Sequence, residues 1–226
     1  YGDGAFKFNF PLKKGGQLSF WGMGGASSID ILISDQTELA QDAFGEQDRD
    51  QYFGSEMLVS GLTYRKSFNR NLYFKATVAY AQQGQFTDHR YILRSLNAEN
   101  QWEYKADPFN MMGYRYDIGT GSVYVSLNQK IKKKHVIKYG LNVDAYTMSL
   151  VDSIRTNITD STSSYYYRWN YSPSAPSYMI QPFIQWKYKI NRRLTLNAGV
   201  HSQYFTLSNS ISPAEPRLGL KCEVDD

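Results

Sequence analysis

Cysteine is almost absent from this chain of 226 residues: Cys222 stands alone, so no internal disulfide can form and the composition gives no basis for a cysteine-based zinc site. Histidine is scarce too, with His89, His135 and His201 far apart in the chain and no Ser/His/Asp spacing that would mark a hydrolase. No apolar run approaches the ~18 residues of a transmembrane helix. That absence leaves membrane β-strands open, because their signal per segment is much weaker. A net charge of +4 with no accompanying fold motif gives no basis for nucleic-acid binding. The stretch Gly22-Met23-Gly24-Gly25 lacks the Gly-Lys-Ser/Thr ending and the following helix of a phosphate loop, and reads as a place where a strand bends or bulges.

What the chain has in quantity is tyrosine, 19 residues within an aromatic share of 15%. Aromatic and β-branched residues favour strands. Their arrangement has period two. Around the basic turn Lys132-Lys133-Lys134, Val123, Val125 and Leu127 interleave with Tyr124, Ser126 and Asn128 before it. Ile137, Tyr139, Leu141, Val143 and Ala145 interleave with Lys138, Gly140, Asn142 and Asp144 after it. Strict alternation means extended chain with one apolar and one polar face.

The same unit recurs. Strands are expected over 5–10, ended by Pro11, then over 17–33, 55–68 and 72–93, on either side of the turn 132–134, and over 178–190, 194–207 and 217–224. Tight turns at 13–16, 69–71, 132–134 and 191–193 alternate with longer connections at 34–54, 94–118, 152–177 and 208–215. The first long connection carries Asp35, Glu38, Asp42, Glu46, Asp48 and Asp50 against Arg49 alone, with a short helix conceivable near 37–44. Asp48-Arg49-Asp50 has the oxygen donors that Ca²⁺ wants but no twelve-residue loop pattern, and reads as a solvated acidic loop.

In an antiparallel meander this rhythm puts every tight turn on one rim and every long loop on the other. Outer-membrane barrels segregate their connections in this way. A strand crosses the bilayer in ~9–11 residues, whereas globular strands average about 5–6. Phe8, Phe10, Tyr64, Phe68, Trp186 and Tyr188 lie near the tight-turn ends, as an interfacial girdle requires. The fold class expected is therefore all-β, an antiparallel up-and-down meander of about 8–9 long strands, part of a transmembrane outer-membrane β-barrel. Residues 1–226 form one partial barrel domain, with Lys75, Thr77, Lys138, Asn142, Asp144, Gln181, Gln185, Lys187, Asn197, His201 and Gln203 toward the lumen. Open edges in lipid leave unpaired backbone groups, so further strands are expected elsewhere in the parent chain.

Four strings carry a resemblance. Tyr1-Gly2-Asp3, followed by Phe10-Pro11-Leu12-Lys13-Lys14-Gly15 and Leu18-Ser19-Phe20-Trp21-Gly22, resembles the barrel of TonB-dependent outer-membrane receptors of Bacteroidetes. So does Ser212-Pro213-Ala214-Glu215-Pro216-Arg217-Leu218-Gly219-Leu220-Lys221. The resemblance implies a barrel of about 22 strands with a plugged lumen, located in the outer membrane of a Gram-negative bacterium. It implies a plug domain and the TonB complex as partners in the full-length parent, and import of a scarce nutrient: a siderophore, haem, a cobalamin or a glycan. No catalytic residue, metal or cofactor is expected.

A small nutrient ligand would be met in the long loops. The densest aromatic group there is Tyr165, Tyr166, Tyr167 and Trp169 with Tyr171, and Arg168 among them could engage an anion. The alternative is that these residues extend a strand or pack on neighbouring loops. A porin-like or adhesive barrel without a plug, and a soluble β-sheet binding module, are the other functional classes compatible with the pattern.

Overall fold

A computed structural model describes residues 1–13, 15–36 and 46–224. All regular structure among them is β. The strands are β1 (Gly2–Leu12), β2 (Gly16–Ile31), β3 (Arg49–Asn69), β4 (Leu72–Tyr91), β5 (Arg94–Leu96), β6 (Trp102–Tyr104), β7 (Phe109–Ile131), β8 (His135–Arg155), β9 (Tyr165–Tyr171), β10 (Ser177–Lys189), β11 (Leu194–Phe205) and β12 (Ser210–Cys222). One antiparallel sheet runs β1-β2-β3-β4-β7-β8-β10-β11-β12, with β9 paired to the upper part of β8. β5 and β6 form a separate hairpin.

The registers show why the sequence alternates. One rung crosses the whole sheet as Phe8, Phe20, Leu62, Val78, Val123, Val143, Ile180, Tyr204 and Ile211. The next, one residue along, reads Asn9, Ser19, Thr63, Thr77, Tyr124, Asn142 and Gln181. Successive side chains point to opposite faces, so one face is apolar and the other polar from edge to edge. A slip of one residue at any seam would exchange the two faces of a strand.

The apolar face has nothing packed on it. Val78 is 58% exposed and Ile184 49%, whereas Thr63 on the polar face is 5% exposed and Ser126 4%. The sheltered face is thus the polar one, the reverse of a water-soluble sheet. The chain exposes 15302 Å², against about 10,500 Å² expected for a compact chain of 26.0 kDa. Among the described residues, the buried apolar core consists of Ile33, Ile92 and Met111 only, all at the long-loop end.

The structure lengthens several of the expected strands. β3 begins at Arg49, not near residue 55; β7 begins at Phe109, not near 119; β12 begins at Ser210, not 217. The β11–β12 connection is accordingly a tight turn, with Asn209 at φ 48°. Alternation fades in these upper segments because both faces lie beyond the apolar belt. On the rung of Glu56, Gly84, Asp117 and Ser149 the apolar side has become polar, and Arg115 there reaches Asp117 at 2.8 Å and Glu56 at 3.5 Å.

Pro11 lies inside β1, opposite Gln17, rather than ending it. β1 is an edge strand, where a missing N–H costs no ladder bond. The bulge expected at Gly22–Gly25 is not there: the register of β2 is unbroken against both neighbours. Gly22 instead makes room for a ring on the next strand, since a Cβ there would lie 2.7 Å from the Phe6 ring. The helix expected near 37–44 falls outside the described residues.

Candidate functional site: the long-loop end and the polar face

At the long-loop end the acidic connection is organised by Asp50. Its side chain is buried and accepts from the Ser34 backbone N–H at 2.8 Å and the Ser34 hydroxyl at 2.7 Å. Arg49 pairs with Asp48 at 2.7 Å. These carboxylates are turned to separate partners, and the described residues contain no group of three or more His, Cys, Asp or Glu that could hold a metal.

The β5–β6 hairpin closes over this region. Arg94 lies on the Trp102 ring, 3.9 Å from its centroid, and donates to the Gln47 carbonyl at 2.9 Å. Tyr104 Oη donates to the Ser34 carbonyl at 2.7 Å. Ile33, Ile92 and Met111 are buried beneath. His89 sits on the polar face here, beyond the apolar belt, against the Phe53 ring at 5.8 Å. Burial first, and the nearby Arg49 charge second, push its pKa below the ordinary imidazole value.

The aromatic cluster forms strand β9. Tyr165 stands opposite Arg155, Tyr166 opposite Ile154 and Tyr167 opposite Ser153. A bulge follows, after which Trp169 faces Asp152 and Tyr171 faces Leu150. These residues extend the sheet upward, and β9 pairs only with β8 among the described residues. Tyr167 and Trp169 are exposed, so the strand presents aromatic side chains along a free edge. Arg168 is not free to meet an anion: its Nη2 and Nε reach Asp152 Oδ1 at 2.7 and 3.1 Å. Tyr165 is held by its hydroxyl on the Asn110 carbonyl at 2.7 Å and by the Arg155 guanidinium 4.5 Å from its ring. The structure therefore brings the six residues together on one strand, with two of them engaged internally.

The polar face carries Lys75, Thr77, Lys138, Asn142, Asp144, Gln181, Gln185, Lys187, Asn197, His201 and Gln203 in one parity, as the alternation predicts. Asp144 accepts from Ser122 and from Asn142, both at 2.6 Å, and Asn142 also donates to Gln181 at 3.1 Å. His201 shares a hydrogen with Glu215 at 3.1 Å. The three histidines remain on separate strands. Arg65 belongs to this face too, as does Lys7, which alternates with Phe6 and Phe8 in the sequence; neither was in the expected lumen set. Their parity with Asn9 and Thr63 is the signal that identifies them.

At the opposite rim, His135 opens β8 on the apolar face, not within the lysine turn. Its ring lies parallel to Trp186 and Tyr188, at centroid distances of 5.8 and 4.7 Å. With Phe8, Phe10, Tyr64 and Phe68 they line the tight-turn margin of the apolar face. The basic residues Lys132, Lys133, Lys134 and Arg192 occupy the turns beyond it.

The molecule is thus an open, antiparallel β meander with one apolar and one polar face, and with folded structure at one end. No family model matches the chain, and no curated protein does. Among solved structures it is similar to the translocator domain of autotransporter NalP from Neisseria meningitidis, with a TM-score of 0.39 and 8% identity, over 99% of this chain and 75% of that one.

Proposed function

We propose that this chain is a wall segment of an outer-membrane β-barrel, with its apolar face against lipid and its polar face toward the lumen. The observation that carries this reading is the pair of adjacent rungs, apolar on the first and polar on the second, with the apolar side uncovered. From Phe68 to Leu58 the apolar side of β3 rises ten residues. At ~3.3 Å per residue and a ~40° tilt that is about 25 Å, the height of a barrel's lipid-facing band. The aromatic margin and basic turns belong at the periplasmic interface in this reading, and the β5–β6 cap and β9 outside the cell.

The complete barrel is, on this proposal, a TonB-dependent importer of a scarce nutrient, carrying out no catalytic step. Support for that finer assignment is the resemblance of the segments beginning at Tyr1, Phe10, Leu18 and Ser212. The free aromatic edge of β9 is the place where ligand would first be met.

Depth-dependent quenching tests the membrane reading. The chain, folded into vesicles of brominated phosphatidylcholine, should show quenching of Trp186, while Trp21 on the polar face should not respond. Single-tryptophan variants separate the two. A chain that stays monomeric without detergent and binds no hydrophobic dye would overturn the proposal. Growth of a deletion strain on defined iron, cobalamin or glycan sources tests the importer assignment.

A further inference from the structure

On the polar face, Arg65 of β3 and Lys75 of β4 are direct cross-strand partners. Like charges placed opposite one another in a sheet destabilise it. No carboxylate offsets them: among the described residues neither Arg65, Lys75 nor Lys7 has an ion-pair partner. Elsewhere on this face Asp144 and Glu215 are engaged by Ser122, Asn142 and His201, and Asp152 by Arg168, while Asp3 stands four residues along β1 from Lys7 and forms no ion pair with any of the three. Arg65 Nε is buried without a hydrogen-bond partner, and a buried donor left unpaired is unfavourable.

These three cations border one hollow of about 390 Å³, together with Ser19, Thr63 and Thr77. The hydroxyls are ordered. Trp21 Nε1 donates to Thr63 Oγ1 at 3.1 Å, and Thr63 and Thr77 share a hydrogen bond of 3.1 Å. Either hydroxyl can donate in the Thr63–Thr77 pair, and both threonines border the hollow. The site thus offers a guanidinium, two ammonium groups and threonine hydroxyls.

We infer that the hollow bounded by Lys7, Arg65 and Lys75 binds an oxyanion, a phosphate or carboxylate group. Guanidinium recognises either through charge-assisted, paired N–H···O bonds. The bound group relieves the Arg65–Lys75 opposition and supplies the acceptor that Arg65 Nε lacks. Its source is a small anionic solute or an acidic side chain of polypeptide lying against this face.

The full 226-residue chain, folded in detergent micelles at constant ionic strength in chloride, is titrated with inorganic phosphate and separately with tetraglutamate by calorimetry. Saturable one-site binding is expected for at least one of them, weakened tenfold or more in K75Q and in R65Q. Tighter phosphate binding identifies a solute site, and tighter tetraglutamate binding a polypeptide site. If R65Q fails to fold, K75Q and K7Q carry the test. Absence of saturable binding for both probes, or unchanged binding in the variants, overturns the inference. The site rests on the polar face alone, so its failure would leave Trp186 quenching intact.

Discussion

Trp186 of β10 and His135 of β8 lie with their ring planes 3° apart, and the indole Nε1 donates to His135 Nδ1 at 3.2 Å. Tyr188 continues the set, 5.5 Å from Trp186. Such a group suits the membrane interface, where one end of each ring is apolar and the other wet. Replacing His135 by Ala should destabilise the folded state by about 1 kcal/mol. It should also shift Trp186 emission to the red, as read by fluorescence-detected unfolding in a Trp186-only background.

Neighbouring positions on β10 offer a sharper contrast. Ile184 lies on the uncovered apolar face and Gln185 on the polar face. In a bilayer, Ile184→Lys, one rung inside the Trp186 margin, should cost about 1–3 kcal/mol, between the interfacial and midplane penalties for a cation. Gln185→Lys, which meets only the like charge of Lys138 across the seam, should cost no more than about 1 kcal/mol. Equilibrium unfolding from lipid vesicles distinguishes them. Equal costs would mean that the two faces see the same solvent.

Lys132 begins the turn between β7 and β8 at φ 55°. Left-handed backbone costs an L-residue about 1 kcal/mol or more. Lys132→Gly should therefore stabilise the hairpin by about 0.5 kcal/mol once glycine's greater unfolded freedom is subtracted. The gain would appear as a higher denaturant midpoint with an unchanged slope.

Gly140 gives the opposite outcome. A Cβ there would meet the Val125 carbonyl and lie 2.8 Å from the Phe183 ring. Gly140→Ala should force β7 or β10 to shift and cost about 1–3 kcal/mol. Combining it with Phe183→Ala should restore only part of the loss, because the carbonyl contact persists.

The loop end should loosen in acid. The pKa of His89 is lowered in the folded state by burial, then by Arg49. Unfolded, the imidazole titrates near its ordinary ~6.5. Below that value the open state binds the proton more readily than the closed one, so stability is full above about pH 6.5 and declines as pH falls toward the folded pKa. Hydrogen exchange at Ile92 and Met112 should quicken between pH 7.5 and 5.5, after correction for intrinsic rates, and His89→Gln should abolish that change.

How much of this was legible from residues alone depended on where a strand stood. Within the belt, Val123 through Leu127 and Ile137 through Ala145 announced both their extension and their faces, because an uncovered apolar face and a polar face impose opposite chemistry at every step. Above it, in Phe109 through Ile118 and Tyr165 through Tyr171, the apolar side has ended, so strand continues with no alternating pattern to mark it. The glycines at 22–25 were misread for another reason. What they accommodate, the Phe6 ring and the β3 backbone, lies on other strands and becomes adjacent only through register. Lys7, Arg65 and Lys75 likewise share a hollow with no sequence spacing to suggest it. Arg168 seemed free in the chain because Asp152, its partner, belongs to a different strand.

The order of the sheet has an arithmetic consequence. Among the described residues its main path holds nine strands, each antiparallel to the next. Nine is odd, so β1 and β12 run in the same direction, both descending toward the tight-turn rim. Joined directly, they would form a parallel seam. A cylinder antiparallel throughout needs an odd number of further strands between them, and two copies meeting like edge to like edge would do so about a two-fold axis.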